Sequence, residues 1–520
     1  MRKTVKKLTA VGLTVTSVLG LVACGSSKGT TSQGTSENKE VTKPDTFTVM
    51  CDGTVVTETN GAEAFYKQLN EATGLDIKWT RPDHASYYDA VANAFNSDDT
   101  MPDVVLLSSD YYALYASNGF LWNMTDAWEH SETKNSGRLI STADNVLSAL
   151  MVNGEDGTKA MYGLSLYRGN GCCTYVKKAW LDKAGIDASK VKDVQMDFNT
   201  YYGYLKQMAQ TMGHYVISSP GFIHPEAPNT NYLPEFYQKA QYTFYKDTSG
   251  KYVDGFAQPE MKEALQRIQT AVNDGVIDKE SVNNSTANAR DKFYSTDPST
   301  ETGVFTYWAG TWANTLKTNL ANKGLDDELI AIKPIKELGA YTERIAPCWC
   351  ITSAAKNPEG IFKYFIDKML DGGDVQMLWT HGAKGTHWDD KAETVTVEKK
   401  EDQPKTYTEG QFHYLPGIEK PDQWQTKNHI DPILSIANFT NGYVGESLIP
   451  EVARENGEFF AENSQVAVPL PMTSELSNNI GDINTARTYV IAQVALGYMT
   501  VDEGMDYYNK TVGDRKSTRL

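Results

Sequence analysis

After its first two dozen residues the chain of 520 residues has no further long apolar run, so its bulk reads as a globular body rather than a set of membrane spans. It has no H-E-x-x-H and no Gly-Lys phosphate loop, and so carries no signature of a zinc protease or a nucleotide hydrolase. Basic residues are in deficit, 49 Lys and Arg against 66 Asp and Glu, for a net charge of −17. Such a surface repels phosphate backbones and speaks against nucleic acid as a partner. Carboxylates abound, yet nothing in their spacing singles out a glycosidase-like pair.

What is present begins at the N-terminus. Met1-Arg2-Lys3 and Lys6-Lys7 precede an apolar run from Leu8 to Leu21, which has the length of a signal-peptide core and is too short for a stable transbilayer helix. The run ends in Leu21-Val22-Ala23-Cys24, which resembles the lipobox of bacterial lipoproteins. That resemblance implies a signal peptide over 1–23 and a diacylglycerol thioether on Cys24, anchoring the body at the extracytoplasmic face of the cell membrane. Two acyl chains anchor stably where one is marginal. From Gly25 to about Pro44 the chain is rich in Gly, Ser, Thr and Lys, with little to bury, so 24–45 reads as the lipidated cysteine and a flexible tether.

Six cysteines include Cys24, leaving Cys51, Cys172, Cys173, Cys348 and Cys350. Five is odd, so at least one thiol is free or pairs between chains. Cys172-Cys173 and Cys348-x-Cys350 are compatible with a disulfide, but neither spacing matches a zinc knuckle, and buried thiols are the favoured reading.

Ordered structure is expected from Thr46. Strands at 46–51, 75–79 and 102–107 alternate with helices at 62–72 and 87–95, a pattern that argues for a parallel sheet with helices on its faces. Farther on, helices are expected at 179–184, 199–208, 259–272 and 360–370, the first three with a glycine shortly after the end. A hairpin is expected around Asp247-Thr248-Ser249-Gly250, and a strand at 304–307.

The order of these pieces resembles an extracellular solute-binding protein of an ABC sugar importer, family 1, in the subgroup of LipO-type and alginate-binding lipoproteins. Met101-Pro102-Asp103-Val104-Val105 with Gly119-Phe120-Leu121-Trp122-Asn123-Met124-Thr125 is similar to the family's first-lobe strand and turn. Gly250-Lys251-Tyr252, Pro259-Glu260 and Asn273-Asp274-Gly275-Val276-Ile277-Asp278 look like its hairpin-helix signature, and Gly382, Gly385 and His387-Trp388 like its glycine-rich turn. The usual G-L-P-Y at the start of the second lobe is here Gly163-Leu164-Ser165-Leu166. The resemblance implies an α/β, two-lobed periplasmic-binding-protein-like fold (type II), each lobe a mostly parallel sheet flanked by helices, joined by hinge crossovers. The expected boundaries are 46–160 for the first part of lobe 1, 161–300 for the first part of lobe 2, 301–345 for a return to lobe 1, and 346–513 for lobe 2 with C-terminal helices. Residues 514–520, Asp514 to Leu520, look like the in-frame translation of a sequencing adapter and are read as a non-native tail.

A sugar presents apolar C–H faces and a rim of hydroxyls, so its site needs aromatic platforms edged by polar groups. Trp308-Ala309-Gly310-Thr311-Trp312 follows a strand, with small residues between the tryptophans. Tyr111 and Tyr112 follow a strand end, where ligands of open α/β sheets bind. Trp349, Tyr167, Trp379 and Trp388 complete the platform candidates, with Asp110, Arg168 and Asn170 as hydrogen-bonding partners. Each aromatic has core packing as its competing role, Asp110 that of a helix cap, and Arg168 that of a surface ion pair. His381 and His387 read as parts of a structural turn, and Asp247–Gly250 as too poor in carboxylates for calcium. The expected function is capture of an oligosaccharide by a monomeric, lipid-anchored receptor that hands it to an ABC permease, with no catalysis, no cofactor and no metal. The alternatives are a non-sugar solute such as a peptide, or a surface carbohydrate-active enzyme.

Overall fold

The computed structural model describes residues 41–54, 61–223, 231–246, 249, 251–325, 327–390, 413–414, 430–439, 449–467 and 474–516. Cys24, the signal peptide, most of the tether, most of the Asp247–Gly250 turn and residues 517–520 lie outside them. The strands used below are β1 (Thr46–Met50), β2 (Asp76–Thr80), β3 (Val104–Leu107), β4 (Gly163–Leu164), β5 (Cys172–Lys177), β6 (Val304–Trp308), β7 (Leu329–Ala331), β8 (Tyr341–Glu343) and β9 (Cys348–Ile351).

The first lobe is built on a five-stranded sheet in the order β2-β1-β3-β9-β4. β1 runs parallel to β2 and β3, whereas β9 is antiparallel to both β3 and β4. All four residues of β3 and of β9 are buried, as expected for central strands covered on both faces. Helix α1 (Ala62–Thr73) turns Ala62, Phe65 and Leu69 inward and stops at Gly74, whose φ of 62° suits a residue without Cβ. Helices α2 (Tyr87–Ala94) and α3 (Ser109–Ser117) follow β2 and β3. The stretch expected as one helix over 360–370 instead breaks into a short α turn, a π turn and a 3-10 turn.

The second lobe centres on the three-stranded order β6-β5-β7, with both pairings antiparallel. The first lobe's sheet is thus mixed and the second lobe's antiparallel, rather than mostly parallel. Alternation along β5 serves two cores: Cys173 and Tyr175 face one with Phe305 and Tyr307, and Val176 faces the other with Val304 and Ile268. Around the sheet lie α4 (Lys178–Ala184), α5 (Phe198–Met212), α6 (Pro259–Asn273), α7 (Thr286–Phe293), α8 (Thr311–Asn322), α10 (Glu451–Glu462), α11 (Ser474–Ala495) and α12 (Val501–Lys516), whereas α9 (Asp374–His381) packs on the first lobe. The C-terminal pair is tied in by Arg487, fully buried, which reaches the Asp254 carboxylate at 3.2 Å while Tyr508 donates to the same carboxylate at 2.9 Å.

Strand pairing and core membership divide the chain otherwise than the expected boundaries at three points. Residues 301–345 do not return to lobe 1, because β6 and β7 pair with β5 of the second lobe. Residues 346–513 do not all belong to lobe 2, because β9 pairs with β3, and Ile361 to Ala383 and Ile430 to Ala437 contribute to the first core. Met161 to Tyr167 also remain in the first core, so the chain crosses at about 167–172. It crosses back between β8 and β9, and changes lobe a third time between Ala437, in the first core, and α10, whose Phe460 lies in the second lobe.

The first two crossings lie side by side. Arg344 donates from its backbone N to Asn170 O and from Nε to Gly169 O, both at 3.0 Å. A Cβ on Gly169 would stand 1.4 Å from Arg344 O, so only glycine lets the two backbones approach this closely. The first-lobe segment 430–437 joins them through Arg168 N, which donates to Leu434 O at 2.6 Å. Cys51, Cys172, Cys173, Cys348 and Cys350 are buried thiols. Among the described residues no helix is long and apolar enough to cross a membrane.

Candidate binding site

Where β6 ends, the chain turns through Trp308-Ala309-Gly310 into α8, carrying Trp312 in its first turn. Gly310 has a φ of 68°, a backbone conformation that L side chains rarely adopt. Both tryptophans are half-buried, so part of each indole reaches solvent. The Arg344 guanidinium lies 4.5 Å from the Trp308 ring centroid, and that of Arg290 lies 5.3 Å from Trp312 and 5.7 Å from Tyr307. Tyr307 meets Trp312 edge-on at 5.0 Å. Asn170, itself at a φ of 58°, donates from Nδ2 to Ala309 O at 3.0 Å and accepts from Gly171 N at 2.8 Å. Trp308, Asn170 and Arg344 are therefore brought together where the crossovers meet the second lobe. Beside them Tyr167 is 8% exposed; burial pushes its hydroxyl pKa up, opposed by the nearby Arg344 charge.

The first lobe offers a second aromatic group at the strand ends. Tyr111, in α3 just after β3, stacks on Tyr88 with centroids 3.8 Å apart and planes 4° from parallel. Ser108 N donates to the Tyr88 hydroxyl at 2.8 Å, which orients that ring. At the end of β1, Asp52 pairs with His84 and accepts from the Thr54 N–H and hydroxyl. Burial alone would raise the Asp52 pKa, but these hydrogen bonds outweigh it and hold the carboxyl below its usual range. Asp110 falls inside the first turn of α3, whose N-cap position is Ser108, so it is not the cap residue.

The remaining candidates go elsewhere. Tyr112 is fully buried, donating to Leu150 O at 2.5 Å and accepting from Tyr162 N at 3.0 Å. Trp349 and Trp379 are 1% and 0% exposed and pack edge-on at 5.6 Å, with Phe365 and Phe65 around them. Trp388 is buried and donates from Nε1 to Gly382 O at 2.8 Å, closing the glycine-rich turn in which His387 Nδ1 accepts from Ala383 N at 2.7 Å. His387 and Trp388 thus hydrogen-bond within the turn itself. Arg168 is 3% exposed rather than on the surface. It lines a cavity of about 290 Å³ with Thr142, Ser435 and Phe439, and has Glu343 and Asp431 as charged neighbours. Burial lowers its pKa, partly offset by those two carboxylates. Among the described residues no group of three or more His, Cys, Asp or Glu side chains could hold a metal.

Sequence reasoning missed Arg344, Arg290, Tyr88, Tyr307 and the Asp52–His84 pair. Arg344 stands three residues before Pro347 on the return crossover, a position the sequence does mark; Arg290 and Tyr88 sit in ordinary amphipathic helices with no local signal.

No family model matches the chain, and no curated protein matches it in sequence. Solved structures do. An alginate-binding protein, without calcium ion, aligns over 91% of this chain and 95% of its own at 15% identity and a TM-score of 0.55. An HMO-binding solute-binding protein associated with an ABC transporter, from Bifidobacterium longum infantis, aligns over 91% and 96% at 13% identity and 0.56. An N-glycan transport solute-binding protein from Streptococcus pneumoniae aligns over 92% and 100% at 15% identity and 0.54. The chain is thus similar, along nearly its whole length, to extracellular solute-binding proteins, and it has their two-lobed fold.

Proposed function

We propose that this protein captures an oligosaccharide outside the cell and delivers it to the permease of an ABC importer, held at the membrane by lipid on Cys24. The observation that carries this reading is the Trp308–Trp312 turn. It presents two half-buried indoles at a strand end, edged by Arg344, Arg290 and Asn170, in a fold whose solved relatives are described as binding proteins for alginate, HMO and N-glycan. Aromatic faces take the C–H face of a sugar ring, and the guanidinium and amide groups take its hydroxyls. In this reading Trp308, Trp312 and Asn170 act from the second-lobe side, Tyr111 stacked on Tyr88 acts from the first, Tyr167 lies by Arg344, and Asp110 and Arg168 are further candidate hydrogen-bonding partners. Tyr112, Trp349, Trp379 and Trp388 are framework.

The protein performs no chemistry on this reading. Ligand binds more tightly to the closed than to the open arrangement of the lobes, and the permease reads the closed form. The test is a thermal-shift panel of neutral oligosaccharides, acidic oligosaccharides and peptides on the body without its tether. A specific oligosaccharide at a hundredfold excess over its Kd is expected to add about 2.7 kcal/mol of stability. A shift with peptides and none with any sugar rejects the carbohydrate reading; product released during incubation makes the protein an enzyme.

A further inference from the structure

The turn that carries Trp308 and Trp312 is held by a residue far from it in sequence. Gly310 permits a φ of 68° but does not enforce it, since glycine is the least restricted residue. The restraint comes from Asn456 in α10. Its Oδ1 accepts from Gly310 N at 2.7 Å and lies 3.0 Å from the Tyr175 hydroxyl, which is also 3.0 Å from Trp308 O. Its Nδ2 points toward Cys173 Sγ at 3.9 Å. Asn456 is 8% exposed and Tyr175 1%, so water competes poorly for these groups.

The next residue, Gly457, places this clamp at the lobe junction. A Cβ there would meet Ile433 Cγ2 at 2.6 Å and lie 3.9 Å from Gly310 Cα. α10 is therefore pressed at one point against both the first-lobe segment 430–437 and the second-lobe turn.

We propose that Asn456 is a positioning residue for the ligand platform, which sets the Trp308–Gly310 backbone and couples it to the first-lobe segment 430–437. Any displacement of α10 relative to Ile433 shifts the acceptor on which Gly310 depends, so lobe arrangement and platform geometry change together. The inference rests on the oligosaccharide reading of the same turn. It names a residue that touches no ligand and acts through the backbone of those that do.

The test compares Asn456→Leu, which removes both acceptor and donor at similar volume, with Asn456→Asp, which keeps the acceptor oxygens. Asn456→Ser, smaller and still polar, serves as the second variant if the leucine protein fails to fold. In ligand-free protein, acrylamide quenching of tryptophan fluorescence is expected to rise in N456L, to stay at the original level in N456L/W308F, and to fall back in N456D. Affinity for the oligosaccharide giving the largest thermal shift is expected to drop about tenfold in N456L, mainly through faster dissociation, and to be mostly recovered in N456D. Quenching and affinity in N456L both within twofold of the original protein overturn the proposal, as does raised quenching with unchanged affinity. If no oligosaccharide binds the original protein, it is the functional reading that fails, and the quenching comparison alone then decides whether Asn456 holds the turn.

Discussion

A tryptophan's identity says little about its job; its backbone neighbourhood says more. Trp349 lies in Cys348–Ile351, four buried residues of a central strand, and Trp379 in a helix buried at every residue after its first, whereas Trp308 ends its strand next to Ala309 and Gly310. Trp308→Ala is expected to weaken oligosaccharide binding about tenfold or more with little loss of stability, read by titration calorimetry and thermal melting. Trp379→Ala is expected to do the reverse, costing about 3–5 kcal/mol in urea unfolding through the cavity it leaves, with affinity per folded molecule unchanged. A loss of affinity in W379A without destabilisation would place that ring in the site after all. The contrast between an all-apolar strand and a strand end beside glycine was present in the sequence. Arg344 over Trp308 was not, because that contact joins residues 36 positions apart, on the return crossover and at the end of β6, which meet only in the folded chain.

At the scale of elements, local signals served well. Helices α1, α4 and α5 end where glycine takes a left-handed backbone, at Gly74, Gly185 and Gly213, since a residue without Cβ ends a helix at little steric cost. The crossovers are where single substitutions should be felt most. Gly169→Ala would drive a Cβ into Arg344 O, so the paired crossings must separate. The expected result is a destabilised protein with impaired ligand binding, and unchanged stability and affinity would show that the crossings are looser than described. The C-terminal pair depends on a buried ion pair: Arg487→Met leaves the Asp254 carboxylate without its guanidinium, which should cost about 3–5 kcal/mol in urea unfolding. The double variant with Asp254→Asn should recover part of that loss, because the stranded charge is gone.

The whole molecule carries a proton-linked term beneath the candidate site. Glu235 is 1% exposed under the β6-β5-β7 sheet, accepting from the Thr174 hydroxyl at 2.7 Å, and Thr174 is also 2.7 Å from the Thr306 hydroxyl. Burial raises its pKa to about 7, against 4.5 ordinarily, with the Thr174 hydrogen bond opposing the rise. The folded state therefore keeps a proton that the unfolded state has lost. This contribution is complete below pH 4.5, falls as pH rises, and is gone above about 7, a change on the order of 3 kcal/mol. Urea unfolding at pH 5 and pH 8 should show the loss, and Glu235→Gln should flatten the difference; an unchanged pH dependence in E235Q would mean that other groups govern it.

The sequence alone was enough for the apolar spacing, the glycine stops, the strand-helix alternation and the order of motifs that resembles sugar-binding receptors. These depend on near neighbours, because a helix or strand buries one face at a fixed period. Only the tertiary structure decided that β6 and β7 pair with β5, that β9 returns to β3, and that Trp308 meets Arg344 while Trp349 and Trp379 vanish into a core. Those outcomes turn on which distant segments exclude water together, and no local window of residues contains that competition.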